Sequence, residues 1–127
     1  MRLTEGDDIK KSITEYLAEK NILAGVVLSS VGCVIQGRIR LADGKTVREF
    51  QKNLEILSIN GTLSLNGSHL HISYGDKEGV VYGGHLVEEN IVNTTCELII
   101  GEFFQYSFNR IFDEKTGYKE IEIIERR

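Results

Sequence analysis

Proline and tryptophan are absent from the 127 residues, and only two cysteines, three histidines and one methionine occur. Two cysteines cannot build a disulfide framework, so Cys33 and Cys96 are expected to be free buried thiols in a reducing cytoplasm. No basic excess exists either. Fifteen Lys+Arg stand against nineteen Asp+Glu, a formal net charge of −4, which argues against nucleic acid held mainly by counterion release. The longest uncharged stretch, Asn21 to Gly37, carries serines, glycines and Gln36 and falls short of the ~20 mostly apolar residues of a membrane span. Glu5, Asp7 and Asp8 occupy the place of a basic n-region, so no export signal is read. No Walker loop, Gly-x-Ser-x-Gly elbow or dinucleotide fingerprint occurs.

What is present is hydrophobic periodicity along the whole chain, with no linker, repeat or low-complexity tract. We therefore expect one domain over residues 1–127. Ile9, Ile13, Tyr16 and Leu17 recur at helical spacing, with Thr4 or Asp7 as the cap and Asn21 as a left-handed stop. The period then changes to two. Ala24–Ser30 reads as a strand covered on both faces. Cys33, Ile35, Ile39 and Leu41 alternate with Val34, Gln36, Arg38 and Arg40 as a half-buried strand. Strands follow at 54–63, 68–74, 80–87, 91–100, 103–112 and 118–124, punctuated by the turn signals Asp43-Gly44 and Asn66-Gly67. One helix and seven or eight strands make the fold α+β, with a mostly antiparallel sheet.

All three histidines fall between residues 69 and 85. On a strand, His69 and His71 leave the same face, about 7 Å apart at the backbone. A three-residue hairpin loop with Gly79 in the left-handed position pairs Asp76 with Val80. That register sets Ile72 opposite Gly84 and Tyr74 opposite Tyr82 on an apolar face. It sets His71 opposite His85 and His69 opposite Val87 on the other. A two-residue loop would mix the faces, which register specificity disfavours. Three imidazoles therefore converge, with Gly83 and Gly84 leaving room beside them. His69, His71 and His85 suit a tetrahedral zinc ion whose fourth position is left for another ligand. The competing reading is a surface cluster that titrates near neutral pH and holds nothing.

The run Glu55-Ile56-Leu57-Ser58-Ile59-Asn60-Gly61-Thr62-Leu63, then His69-Leu70-His71-Ile72-Ser73, the Asp76…Gly79 turn, Gly83-Gly84-His85-Leu86, Thr95 with Glu97, Arg110 and Thr116-Gly117 follow one order. Together they resemble the PPC (plants and prokaryotes conserved) domain, whose stand-alone prokaryotic members are called predicted DNA-binding proteins. The resemblance implies a homotrimer, a metal at His69, His71 and His85, and a fold similar to that of acetolactate decarboxylase, a three-histidine zinc enzyme. It also implies partner contact through Lys52-Asn53-Leu54-Glu55-Ile56-Leu57, of which we single out Glu55, Ile56 and Leu57. The plant proteins grip DNA with an AT-hook, and this chain has no Arg-Gly-Arg-Pro core. Direct DNA binding is therefore not expected, and Arg38 and Arg40 are the residues that would touch phosphate.

Glu97 is a candidate acid/base beside the metal, set against a strand glutamate in a surface ion pair. Arg110 is a candidate for holding a substrate carboxylate, set against a surface or interface ion pair. The function read here is a regulatory, DNA-associated homotrimer with a metal site. The alternative is a small zinc-dependent lyase or hydrolase acting on a polar substrate.

Overall fold

The structure, a computed structural model, describes residues 1–127. Its nine strands and one helix run β1 (Arg2–Thr4), α1 (Ile9–Lys20), β2 (Gly25–Arg40), β3 (Val47–Phe50), β4 (Leu54–Leu63), β5 (His69–Gly75), β6 (Val81–Leu86), β7 (Ile91–Glu102), β8 (Tyr106–Asp113) and β9 (Tyr118–Glu125). Seven strands form one antiparallel sheet in the order β1-β7-β2-β4-β5-β6, with β3 paired to β2. The sheet curls until β6 returns to the far end of β2, where Ile39 pairs Leu86 and Arg40 pairs His85. β8 and β9 form a separate two-stranded hairpin. The α+β expectation holds.

The helix forms where its apolar spacing predicts. Ile9, Ile13 and Leu17, one turn apart, are buried against the sheet beside β7. Its cap is Asp8 rather than Thr4 or Asp7. The Asp8 carboxylate accepts from the Lys11 N–H at 3.2 Å and from the Glu89 N–H at 2.7 Å. One acid thus satisfies a helix end and ties down the loop before β7, which a choice based on chain position alone misses. Asn21 terminates the helix in the left-handed conformation, as expected.

The two early strand segments are one. Ala24–Ser30 and Cys33–Leu41 merge into the 16-residue β2, because Gly32 (φ +150°) lets the chain pass so close to β7 that a Cβ would lie 2.2 Å from the Thr95 carbonyl. Nor is the first half covered on both faces: Leu28 is 66% exposed and Val31 53%. The alternation in the second half also slips. Val34 is fully buried while Ile35 lies in the open, and a bulge between Val34 and Gln36 resets the parity so that Ile39 points inward. The short β1 and β3 had no periodic signal to announce them.

Candidate metal centre

The β5–β6 hairpin places the histidines. Asp76 organises its turn: one carboxylate oxygen accepts from the Glu78 N–H (2.9 Å) and the Val80 N–H (3.0 Å). The other accepts from Lys52 Nζ (3.3 Å) and the Tyr82 hydroxyl (3.2 Å). Partial enclosure pulls the Asp76 carboxyl upward, and these donors outweigh it, leaving its pKa below the usual value. Asp76 N–H donates to the Val80 carbonyl, and Gly79 sits at φ +80°, so the loop has three residues with glycine in its left-handed place. The register follows: His71 opposite His85, Ile72 opposite Gly84, Ser73 opposite Gly83, Tyr74 opposite Tyr82. Leu70, Ile72, Tyr74 and Leu86 are buried, and the histidines take the opposite face.

His69 departs from the expected pairing. β6 ends at Leu86, and the Val87 carbonyl accepts instead from Asn90 Nδ2 at 2.8 Å. His69 pairs Thr62 on β4, next to Gly61, whose φ of +144° and contact with the His69 carbonyl leave no space for a side chain. The three rings nonetheless converge. Their centroids lie 5.2, 5.5 and 5.9 Å apart, and one nitrogen from each falls within 4.8 Å of the others. Tetrahedral ligands at Zn–N distances of ~2.0–2.1 Å stand about 3.3 Å apart, a difference that side-chain rotation covers.

The donor set fits a divalent ion chemically as well. Burial, then the neighbouring Arg40, pushes the His85 pKa down to about 4. Burial, then Arg110, lowers that of His69. At neutral pH both rings are uncharged, the state in which imidazole ligates. Two adjoining cavities of about 400 and 380 Å³ open above the triad. Gly83 and Gly84 line the first, Arg110 and Glu120 the second, and Arg40 and Tyr118 both.

The remaining candidates are scattered. Glu97 lies exposed on β7, paired with Arg2 and Val31 in the backbone register, and does not line these cavities. Glu120 is the carboxylate that does, brought there by β9; the sequence carries no signal for it beyond its alternation with Tyr118. Ile56 is 3% exposed and belongs to the core, so of Glu55, Ile56 and Leu57 only the outer two reach the surface. Arg38 lies 3.3 Å from Glu49 and 3.6 Å from Glu89, while Arg40 faces the histidines. Cys96 is buried, Cys33 is half-buried with its thiol donating to the Asn93 carbonyl, and both are free. No helix is long and apolar enough to cross a membrane.

The chain is similar to several known proteins. A metal-containing protein from Archaeoglobus fulgidus is 33% identical, with a TM-score of 0.77 over 94% of this chain and 89% of its own. A hypothetical protein from Salmonella enterica is 31% identical, with a TM-score of 0.96 over all of this chain and 92% of its own. A Bacteroides thetaiotaomicron protein whose name proposes DNA binding shares the fold at 23% identity, with a TM-score of 0.83 over 95% of this chain and 88% of its own. The bifunctional protein GlmU of a Synechococcus strain is 37% identical over 123 residues, 97% of this chain, which spans only 20% of that relative's length. Residues 1–104 match the model of the Plants and Prokaryotes Conserved (PCC) domain, and the chain belongs to that family.

Proposed function

We propose that this chain is a metal-dependent regulatory module: a cytoplasmic homotrimer that holds one divalent ion, zinc in the first instance, on His69, His71 and His85. The observation that carries the reading is the convergence of three imidazoles, within 4.8 Å at their nitrogens, beneath a cavity. When bound, the ion supplies Lewis acidity to whatever occupies that cavity. The protein's own part is to hold the rings in place, with Arg40, Arg110 and Tyr118 around them. Elemental analysis tests it. One equivalent of divalent metal per chain is expected, and protein purified without metal that takes up none on addition of Zn²⁺ overturns the assignment. The 20% share of a longer Synechococcus protein is in keeping with a module that works in company.

Self-association is supported by apolar side chains left in the open on neighbouring strands: Leu28 and Val31 of β2, Ile99 of β7, and Phe104, 71% exposed, just beyond it. Light scattering at micromolar concentration is expected to give three times the 14.3 kDa chain mass. A monomer would contradict the assembly.

The DNA-binding role attached to similar proteins is not the one we assign. The net charge is −4, Arg38 lies 3.3 and 3.6 Å from two carboxylates, and Arg40 faces the histidines. At about 0.15 M salt, labelled AT-rich duplex is expected to bind no more tightly than the ~10⁻⁴–10⁻⁶ M of non-specific contact. Nanomolar binding abolished by Arg38→Glu with Arg40→Glu would instead assign the module to DNA. A second reading, a lyase or hydrolase, is favoured by the Glu120 carboxylate in the same cavity.

A further inference from the structure

The cavity above the histidines carries more positive charge than its own residues neutralise. Arg40 reaches it from the end of β2, Arg110 from β8, and Lys119 stands at the rim. Neither guanidinium has a carboxylate oxygen within 4.0 Å, whereas Arg38, on the same strand, lies near two. Glu120, the single acid in the cavity wall, accepts from the Thr116 hydroxyl at 3.2 Å. A divalent ion held by the three histidines would add to this excess.

Arg110 is built into place. Asn66 Oδ1 accepts from the Arg110 N–H at 3.0 Å, and Asn66 Nδ2 donates to the Arg110 carbonyl at 3.2 Å and to Asn109 Oδ1 at 2.6 Å. Asn66 thus clamps the backbone of Arg110 from both sides, and Gly67 lies so near that a Cβ would meet Arg110 Cγ at 3.2 Å. The guanidinium itself donates to the Lys119 carbonyl. A two-stranded hairpin is marginal by itself; the Asn66-Gly67 turn, together with the Phe108 N–H donating to the Leu23 carbonyl at 2.9 Å, holds Arg110 over the triad. Arg110 also lies beyond residues 1–104, the part matched by the family model.

Two guanidiniums without counter-ions, facing one partly enclosed cavity, form strong charge-assisted hydrogen bonds to planar or tetrahedral oxyanions. The cavity that both arginines line, about 380 Å³, is at the small end of ligand-site volumes. Resting on the metal reading above, we propose that this cavity binds a small oxyanion, a carboxylate or a phosphate monoester, between Arg40 and Arg110, with one oxygen turned toward the histidine triad. The oxyanion supplies the negative charge that the protein withholds, and it gives the module its ligand.

The test titrates inorganic phosphate and succinate, at constant ionic strength, into Co²⁺-loaded and chelator-stripped protein, followed by calorimetry and by the cobalt absorption spectrum. Wild type is expected to bind at least one probe saturably, more tightly when loaded, with a change in the cobalt spectrum. Arg40→Gln and Arg110→Gln are each expected to weaken binding roughly tenfold or more, Arg40→Lys to weaken it less, and Lys77→Gln, on the distal hairpin turn, to leave it unchanged. Circular dichroism checks that each variant is folded. Binding of phosphate alone or succinate alone identifies the source of the oxyanion. Equal binding by wild type and both arginine variants, or none by wild type up to about 10 mM, overturns the proposal. If cobalt itself fails to bind, the metal reading falls, and the arginine dependence in stripped protein still decides the oxyanion site.

Discussion

Replacing His71 with alanine is expected to take bound divalent metal from about one equivalent per chain to nearly none, with the fold intact. His71 stands exposed on β5 and supports no core contact, so its removal deletes a ligand and nothing else. Loss of a hydrogen-bond partner behind a ligand commonly costs 10–100-fold in metal affinity, and loss of one of three protein ligands exceeds that. Stability gives a second readout. In wild type, free Zn²⁺ at about 100 times its dissociation constant should stabilise the native state by roughly 2.7 kcal/mol. In the variant the same addition should leave the thermal midpoint where it was. Full metal content in His71→Ala protein would remove the site from consideration.

Asn90→Ala is expected to be the most destabilising single change outside the apolar core. Asn90 is fully buried and uses its whole amide: Nδ2 donates to the Arg38 and Val87 carbonyls, each at 2.8 Å, and Oδ1 accepts from the Arg38 N–H at 2.8 Å and the Tyr74 hydroxyl at 2.5 Å. Alanine would strand several of these groups away from water at about 1–3 kcal/mol each, so a loss of roughly 3–4 kcal/mol is expected. Chemical denaturation measures it. Tyr74→Phe should cost only about 1 kcal/mol, because Oδ1 keeps the Arg38 N–H as a donor. A loss below about 1 kcal/mol for Asn90→Ala would mean the amide is replaceable by water. The network bears on the metal centre too, since Arg38 precedes Arg40 on β2 and Val87 follows the strand that carries His85.

The sequence by itself determined the parts of this protein that are local along the chain. Gly79 admits one loop length between β5 and β6, the alternation of Leu70, Ile72 and Tyr74 with His69, His71 and Ser73 admits one register, and the histidine face is thereby set. Side-chain alternation has period two, so a one-residue slip would have buried imidazoles and exposed leucine. The helix was legible for the same reason, its apolar spacing matching its turn. What only the tertiary structure decided is everything that joins distant segments. The bulges of β2, which put Val34 inward and Ile35 outward, arise in its antiparallel pairing with β7. The Asn90 hub gathers Arg38, Tyr74 and Val87, and the placement of Ile56 in the core leaves Glu55 and Leu57 outside. Above all, Arg40 meets His85 because the sheet curls back on β2, and Arg110 and Glu120 meet the triad because Asn66 and the Leu23 carbonyl anchor the β8–β9 hairpin. No residue pattern encodes those meetings locally. They follow from closing long loops and packing whole strands, where the free energy belongs to the assembled sheet and not to any one segment.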